Sequence, residues 1–124
     1  MKENEIQIGD WVRRDYGGEV KDFRVDSLIR DHTLEIGVYS DRGFMGYADQ
    51  IEPIPLTAEI LERNGFKHID IPFSPEWELF GLTIYRGGGR FYLDYGANMS
   101  MEINSVHHLQ HLLLLCGIIR DIVL

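Results

Sequence analysis

Ile51-Glu52-Pro53-Ile54-Pro55-Leu56 divides this chain. Proline has no backbone N–H and a fixed φ, so two prolines one residue apart cannot sit in a central strand. The segment predicts an extended connector at residues 51-56, crossing the surface of one or both halves. It separates an amino-terminal half, residues 1-50, from a carboxy-terminal half, residues 57-124.

Upstream of the connector, short strand-like runs span Ile6 to Arg13, Val20 to Leu28, Thr33 to Tyr39 and Gly43 to Tyr47. In the third, Leu34, Ile36 and Val38 alternate with Thr33, Glu35 and Tyr39, the period-2 pattern of a half-buried strand. Gly17-Gly18 and Asp41-Arg42-Gly43 supply turns between the runs. The pattern is that of a small, curled antiparallel sheet.

Downstream, Thr57 is placed to cap a helix, with Leu56 and Leu61 at the two staple positions and Gly65 set to end it in a left-handed turn, where Phe66 could pack back on Leu61. Trp77 to Tyr85 and Arg90 to Tyr95 read as a hairpin across Arg86-Gly87-Gly88-Gly89, with Phe80, Leu82 and Ile84 on one face. Met99, Met101 and Ile103 continue as a third strand. Ser105 then caps a helix that runs to about Cys116 and is stopped by Gly117, and Ile118 to Val123 form a last strand.

The 124 residues are about one domain's worth, and 44% hydrophobic with 26% charged residues exclude disorder over the whole length. Halves of this size bury little surface alone, so they are expected to pack together as one unit. No run approaches the roughly 18 uncharged apolar residues a membrane helix needs, and Met-Lys-Glu-Asn-Glu lacks the order of a signal peptide. A cytoplasmic protein with no membrane contact is expected.

Twelve Lys and Arg stand against 20 Asp and Glu, a net charge of -8, and neither half is basic. Nucleic acid is therefore an unlikely partner, since such binding draws most of its affinity from neutralised phosphates. One cysteine, Cys116, excludes an internal disulfide, a four-thiolate zinc site and a CxxC redox centre.

His107 and His111 are one helical turn apart and could chelate an ion from one face. His107-His108-Leu109-Gln110-His111 has the outer histidines of a zinc-protease motif, but His108 stands where the general-base glutamate must be. A tetrahedral site would need further ligands from His32, His68 or a distant carboxylate. At 100° per residue, Val106, Leu109, Leu112, Leu113 and Cys116 form the apolar stripe, which leaves the three histidines on a solvated face. No metal and no cofactor are expected. Leu114 and Leu115 fall on the same side as the histidines, so the last turn is apolar all round and needs cover from the first half or from a second subunit.

Gly87-Gly88-Gly89 is a hairpin turn and not a phosphate loop, because Arg90-Phe91-Tyr92 continues as a strand where a Walker loop would open a helix. Arg86 and Arg90, with Tyr85, Phe91, Tyr92 and Tyr95, form the one basic and aromatic cluster, able to stack bases or grip an acidic peptide. Trp11, Tyr16, Tyr39, Phe44 and Tyr47 lie near strand ends and turns, where they either line a groove for an extended peptide or plug the ends of a small barrel. The serines lie outside Gly-x-Ser-x-Gly elbows, Cys116 belongs to the apolar stripe, and Glu76 and Glu78 pair by chance on one strand. No catalytic set is visible.

Ile6-Gln7-Ile8-Gly9-Asp10-Trp11-Val12 resembles the opening strand of SH3-like barrels, a resemblance covering residues 5 to 52 that implies a five-stranded curled sheet and no particular function. The segment from Ile51 to Thr57 with its helix and Asn64-Gly65-Phe66, together with Val106-His107-His108-Leu109-Gln110, is similar to small uncharacterised proteins of phages and prophage islands of gut anaerobes. That resemblance implies a genomic setting without catalytic residues.

The expected fold is α+β, an SH3-like β-barrel packed with an antiparallel sheet that carries two short helices. The expected function is that of a non-enzymatic, acidic accessory protein that binds a protein partner, with homodimerisation through the last helix. Trp11, Tyr39, Tyr47, Arg86, Arg90, Tyr92, Leu114 and Leu115 are the candidate contact residues. The alternative is a nucleic-acid-associated module built on Arg86, Arg90 and the adjoining tyrosines.

Overall fold

The computed structural model describes residues 1-72, 74-96, 99-118 and 121-124, with residues 95 and 96 described by their backbone alone. The chain is α+β and strand-rich, and it divides into two compact units, Met1–Ile54 and Pro55–Leu124.

In the first unit, β1 (Trp11–Asp15), β2 (Val20–Arg24) and β6 (Glu52–Pro53) form a three-stranded sheet in the order β2-β1-β6. A second sheet has the order β3 (Ser27–Arg30), β4 (Ile36–Ser40), β5 (Gly43–Tyr47). The connector thus enters the fold as an edge strand: Pro53 lies opposite Val12, and its missing N–H costs nothing on an edge. Ile6, Val12, Phe23, Val25, Val38, Ala48 and Ile51 make the core of this unit.

Local hydrogen bonding moves the strand boundaries from those the pattern predicts. The strand expected from Ile6 to Arg13 begins only at Trp11. Before it, the Asp10 carboxylate accepts from the Gln7 N–H at 2.9 Å, and Gly9, at φ 95°, donates its N–H to the Val25 carbonyl. The run from Val20 to Leu28 breaks at Val25 and Asp26 into two strands that serve different sheets. Leu34 takes a left-handed conformation at φ 67° in a turn whose carboxylate anchor is Asp31, so it leaves the alternation and is exposed.

In the second unit, β7 (Lys67–Ile69), β8 (Glu76–Leu79), β9 (Leu82–Gly87), β10 (Arg90–Gly96) and β11 (Met99–Glu102) form an antiparallel meander in the order β11-β10-β9-β8-β7. The strand expected from Trp77 to Tyr85 is two strands. Phe80 and Gly81, both at positive φ, make a two-residue hairpin turn and leave Phe80 77% exposed instead of facing inward. Gly88 and Gly89 make the next turn in the same way, at φ 59° and 78°.

Helix α1 (Ala58–Arg63) follows its sequence signals closely. Thr57 Oγ1 accepts from the Ile60 N–H, and both staple leucines are buried. Phe66 donates to the Leu61 carbonyl and Gly65 to that of Glu62, the paired bonds of a left-handed C-cap. Helix α2 (Val106–Leu115) is capped by Ser105 and ends at Gly117, with Ile118 donating to Leu113 and Gly117 to Leu114. Its faces differ from the predicted ones. His107 is 2% exposed and buried beside the N-cap, whereas Cys116 is exposed, because the C-terminal turn unwinds at the cap.

The last strand expected at Ile118 to Val123 is not formed at Ile118 or from Asp121 onward, and residues 119 and 120 lie outside the described set. The tail is held at Asn64 instead. Among the described residues no helix is long and apolar enough to cross a membrane.

Candidate functional site

The first unit contains an open groove of about 1090 Å³ running along β2 and the β4–β5 turn. Its aromatic lining is Trp11, Tyr16 and Phe44 with the buried Phe23 beneath, and its cations are Lys21, Arg24 and Arg42. Strand register explains the first pairing: Trp11 lies opposite Arg24, whose guanidinium sits 5.9 Å from the indole. Tyr16, just past the end of β1, lies under Arg14 at 4.6 Å and near Lys21 at 5.8 Å.

The groove wall is fixed by hydrogen bonds to one carbonyl. Arg14 Nη1 donates to Met45 O at 2.9 Å and Tyr16 Oη donates to it at 3.0 Å, while Arg14 also reaches Gln50 Oε1 at 3.1 Å. Gly46 makes this possible, because a Cβ there would lie 2.2 Å from Arg14 Nη1. Three acids, Asp22, Asp26 and Asp41, also line the groove, but Asp22 is held by Arg13 through bonds of 2.7 and 3.3 Å. That pairing raises the Arg13 pKa and takes one negative charge out of play.

Tyr39, Phe44 and Tyr47 form a packed ladder, with ring centroids 5.4 and 5.2 Å apart, over the bare backbone of Gly37. Tyr47 donates to Asp31 at 2.8 Å. Hydrogen bonds from Thr33 and then from Tyr47 hold the Asp31 carboxyl below its usual range, and the same bond to Asp31 holds the Tyr47 phenol above its own. Tyr39 and Tyr47 are thus supports for the half-exposed Phe44 as much as contact residues.

The carboxy-terminal candidates are not brought together. Arg86 lies opposite Phe91 and stacks on it at 5.5 Å, whereas Arg90 lies opposite Gly87, on the other face of the sheet, and is ion-paired to Glu102 at 3.0 Å. Tyr92 stacks on its cross-strand neighbour Tyr85 at 5.3 Å, on the Arg90 face. The two arginines thus stand on opposite faces of the sheet. Leu114 and Leu115 are 63% and 85% exposed.

Ser105 and His107 share a hydrogen bond of 3.0 Å between Oγ and Nδ1. Both residues are buried, and Ser105 Oγ is already the acceptor that caps α2, so the pair is not offered to a substrate. The pattern of the sequence does not single out Lys21, Arg24 or Arg42, since the groove joins residues from separate strands.

No protein-family model, curated protein or solved structure matches the chain.

Proposed function

We propose that the chain is a non-enzymatic accessory protein, of the kind carried by phages and prophage islands, that works by capturing an extended segment of another protein in the groove of its first unit. The observation that carries this reading is the groove itself, in which Trp11, Tyr16 and Phe44 line one open surface together with the cations Lys21, Arg24 and Arg42 on a chain of net charge -8. Aromatic surface supplies contact area at low entropic cost, and the cations select against basic segments. The occupant that fits is an extended peptide combining aromatic and acidic side chains.

The strand order supports an SH3-like reading of this unit. Strands β2 and β3 are separated by two residues and feed different sheets, and β6 returns after a 3-10 turn at Ala48–Gln50 to pair with β1. Open sheet edges beside an aromatic groove suit binding by strand addition.

The test is selection of a random peptide library on the immobilised full chain. Enrichment of acidic and aromatic peptides that bind at least about tenfold more weakly to Trp11→Ala and Phe44→Ala supports the proposal. Absence of enrichment, or binding indifferent to both substitutions, overturns it.

A further inference from the structure

Among the described residues the buried Nε2 of His107 has no hydrogen-bond partner. A buried polar atom without a partner is uncommon in a folded chain and calls for an explanation, such as a bound ion. Its neighbours are suited to one. The ring of His111, one helical turn further along, lies with its centroid 5.6 Å from that of His107 at an interplanar angle of 77°. The ring of His108 lies 4.4 Å away.

Two imidazoles that share one tetrahedral ion have nitrogens about 2.0–2.1 Å from it, which places their centroids roughly 5 Å apart. The spacing of His107 and His111 is close to that value, and His111 is half-exposed. Ser105 completes the arrangement. With the His107 proton on Nδ1, that N–H donates to Ser105 Oγ and leaves a lone pair on Nε2, the way an outer hydrogen bond orients a ligating histidine.

From this juxtaposition we infer that His107 and His111 form a two-histidine chelate for a divalent transition metal ion of the zinc, nickel or cobalt type. Among the described residues no group of three or more His, Cys, Asp or Glu is gathered to hold an ion. The ion therefore takes the remainder of its shell from water or from a donor on a partner.

The probe is the metal alone, titrated into chelator-stripped full-length protein at pH 7.5 by calorimetry, with cobalt absorption reporting coordination. One equivalent of zinc or nickel should bind. His111→Ala, a surface substitution, should weaken binding by about tenfold or more while the folded signal in circular dichroism is kept, and His68→Ala should leave binding unchanged. No binding up to about 1 mM metal, an affinity of His111→Ala equal to that of the parent, or equal losses in His111→Ala and His68→Ala would overturn the inference.

Discussion

Asn64 and Val123 are joined by a pair of hydrogen bonds that close a ring: Asn64 Nδ2 donates to the Val123 carbonyl and the Val123 N–H donates to Asn64 Oδ1, both at 2.7 Å. The side-chain amide thereby does for the tail what a neighbouring strand does in a sheet. It is buried at the C-cap of α1, where Nδ2 also donates to the Ile60 carbonyl at 2.7 Å. Asn64→Ala removes all three bonds and leaves buried groups without partners, so it should cost about 2–3 kcal/mol in urea unfolding. Asn64→Asp should cost a similar amount, because a carboxylate cannot donate to Val123 or Ile60. A loss below about 0.5 kcal/mol for both would show that the tail is held by something else.

His107 sets the pH response of the second unit. Its pKa of about 4 in the folded chain lies below the ordinary 6.5, first because burial disfavours the charged ring. Between these values the unfolded chain binds the proton that the folded chain refuses, so stability is complete above about pH 6.5, declines as pH falls toward 4, and levels off below. The shift corresponds to roughly 3 kcal/mol at most. Urea melts of chelator-stripped protein at pH 4.5 and 7.5 should show that decline, and His107→Leu should remove most of it. An unchanged slope in the variant would assign the decline to other groups.

At the groove wall, the space above Gly46 belongs to Arg14. A Cβ at residue 46 would stand 2.2 Å from Arg14 Nη1 and 3.2 Å from Gln50 Oε1, on a backbone at φ 152°. Gly46→Ala must push the guanidinium off Met45 O and Gln50, and should cost about 2 kcal/mol. Arg14→Ala removes the obstacle, so the double substitution should cost less than the sum of the two. Gly17→Ala is the comparison: its Cβ meets nothing within 4 Å, and it should cost only the roughly 1 kcal/mol of a positive φ. Strict additivity between residues 14 and 46 would mean that the two do not compete for this space.

Both helices were legible in the sequence because their ends are written in local chemistry: Thr57 and Ser105 at the N-caps, Gly65 and Gly117 beyond the C-caps. Strand limits in the first unit were less so, since the turn before Asp10 is tied to Val25 and the break at Asp26 depends on the carbonyl of Tyr39, both distant in sequence. The burial of His107 was hidden for a related reason. Helical period places it away from the apolar stripe, but its hydrogen bond to the N-cap serine turns the ring back over the first turn. Of the groove, the aromatic half was visible as Trp11, Tyr16 and Phe44 near turns. The cationic half was not, because Lys21, Arg24 and Arg42 come together only when β2 faces the β4–β5 turn.

The turn at Phe80-Gly81 shows how an unfavourable residue can conceal an element. A two-residue hairpin turn of this type needs positive φ at both central positions, which Asn-Gly supplies readily and Phe-Gly does not. Here φ is 48° at Phe80 and 85° at Gly81, and Leu79 pairs with Leu82 across the turn. The flanking strand pairs impose a conformation that phenylalanine resists by about 1 kcal/mol, and its ring, almost wholly exposed, recovers little of that. Phe80→Asn should therefore stabilise the chain by about 0.5–1 kcal/mol, seen as a rise in Tm of about 2–5 °C. Phe80→Pro, with φ fixed near the opposite sign, should destabilise it by more than 2 kcal/mol or so. If residue 80 instead faced inward, as the alternation of Phe80, Leu82 and Ile84 suggests, asparagine there would cost several kcal/mol. The sign of the asparagine effect separates the two arrangements.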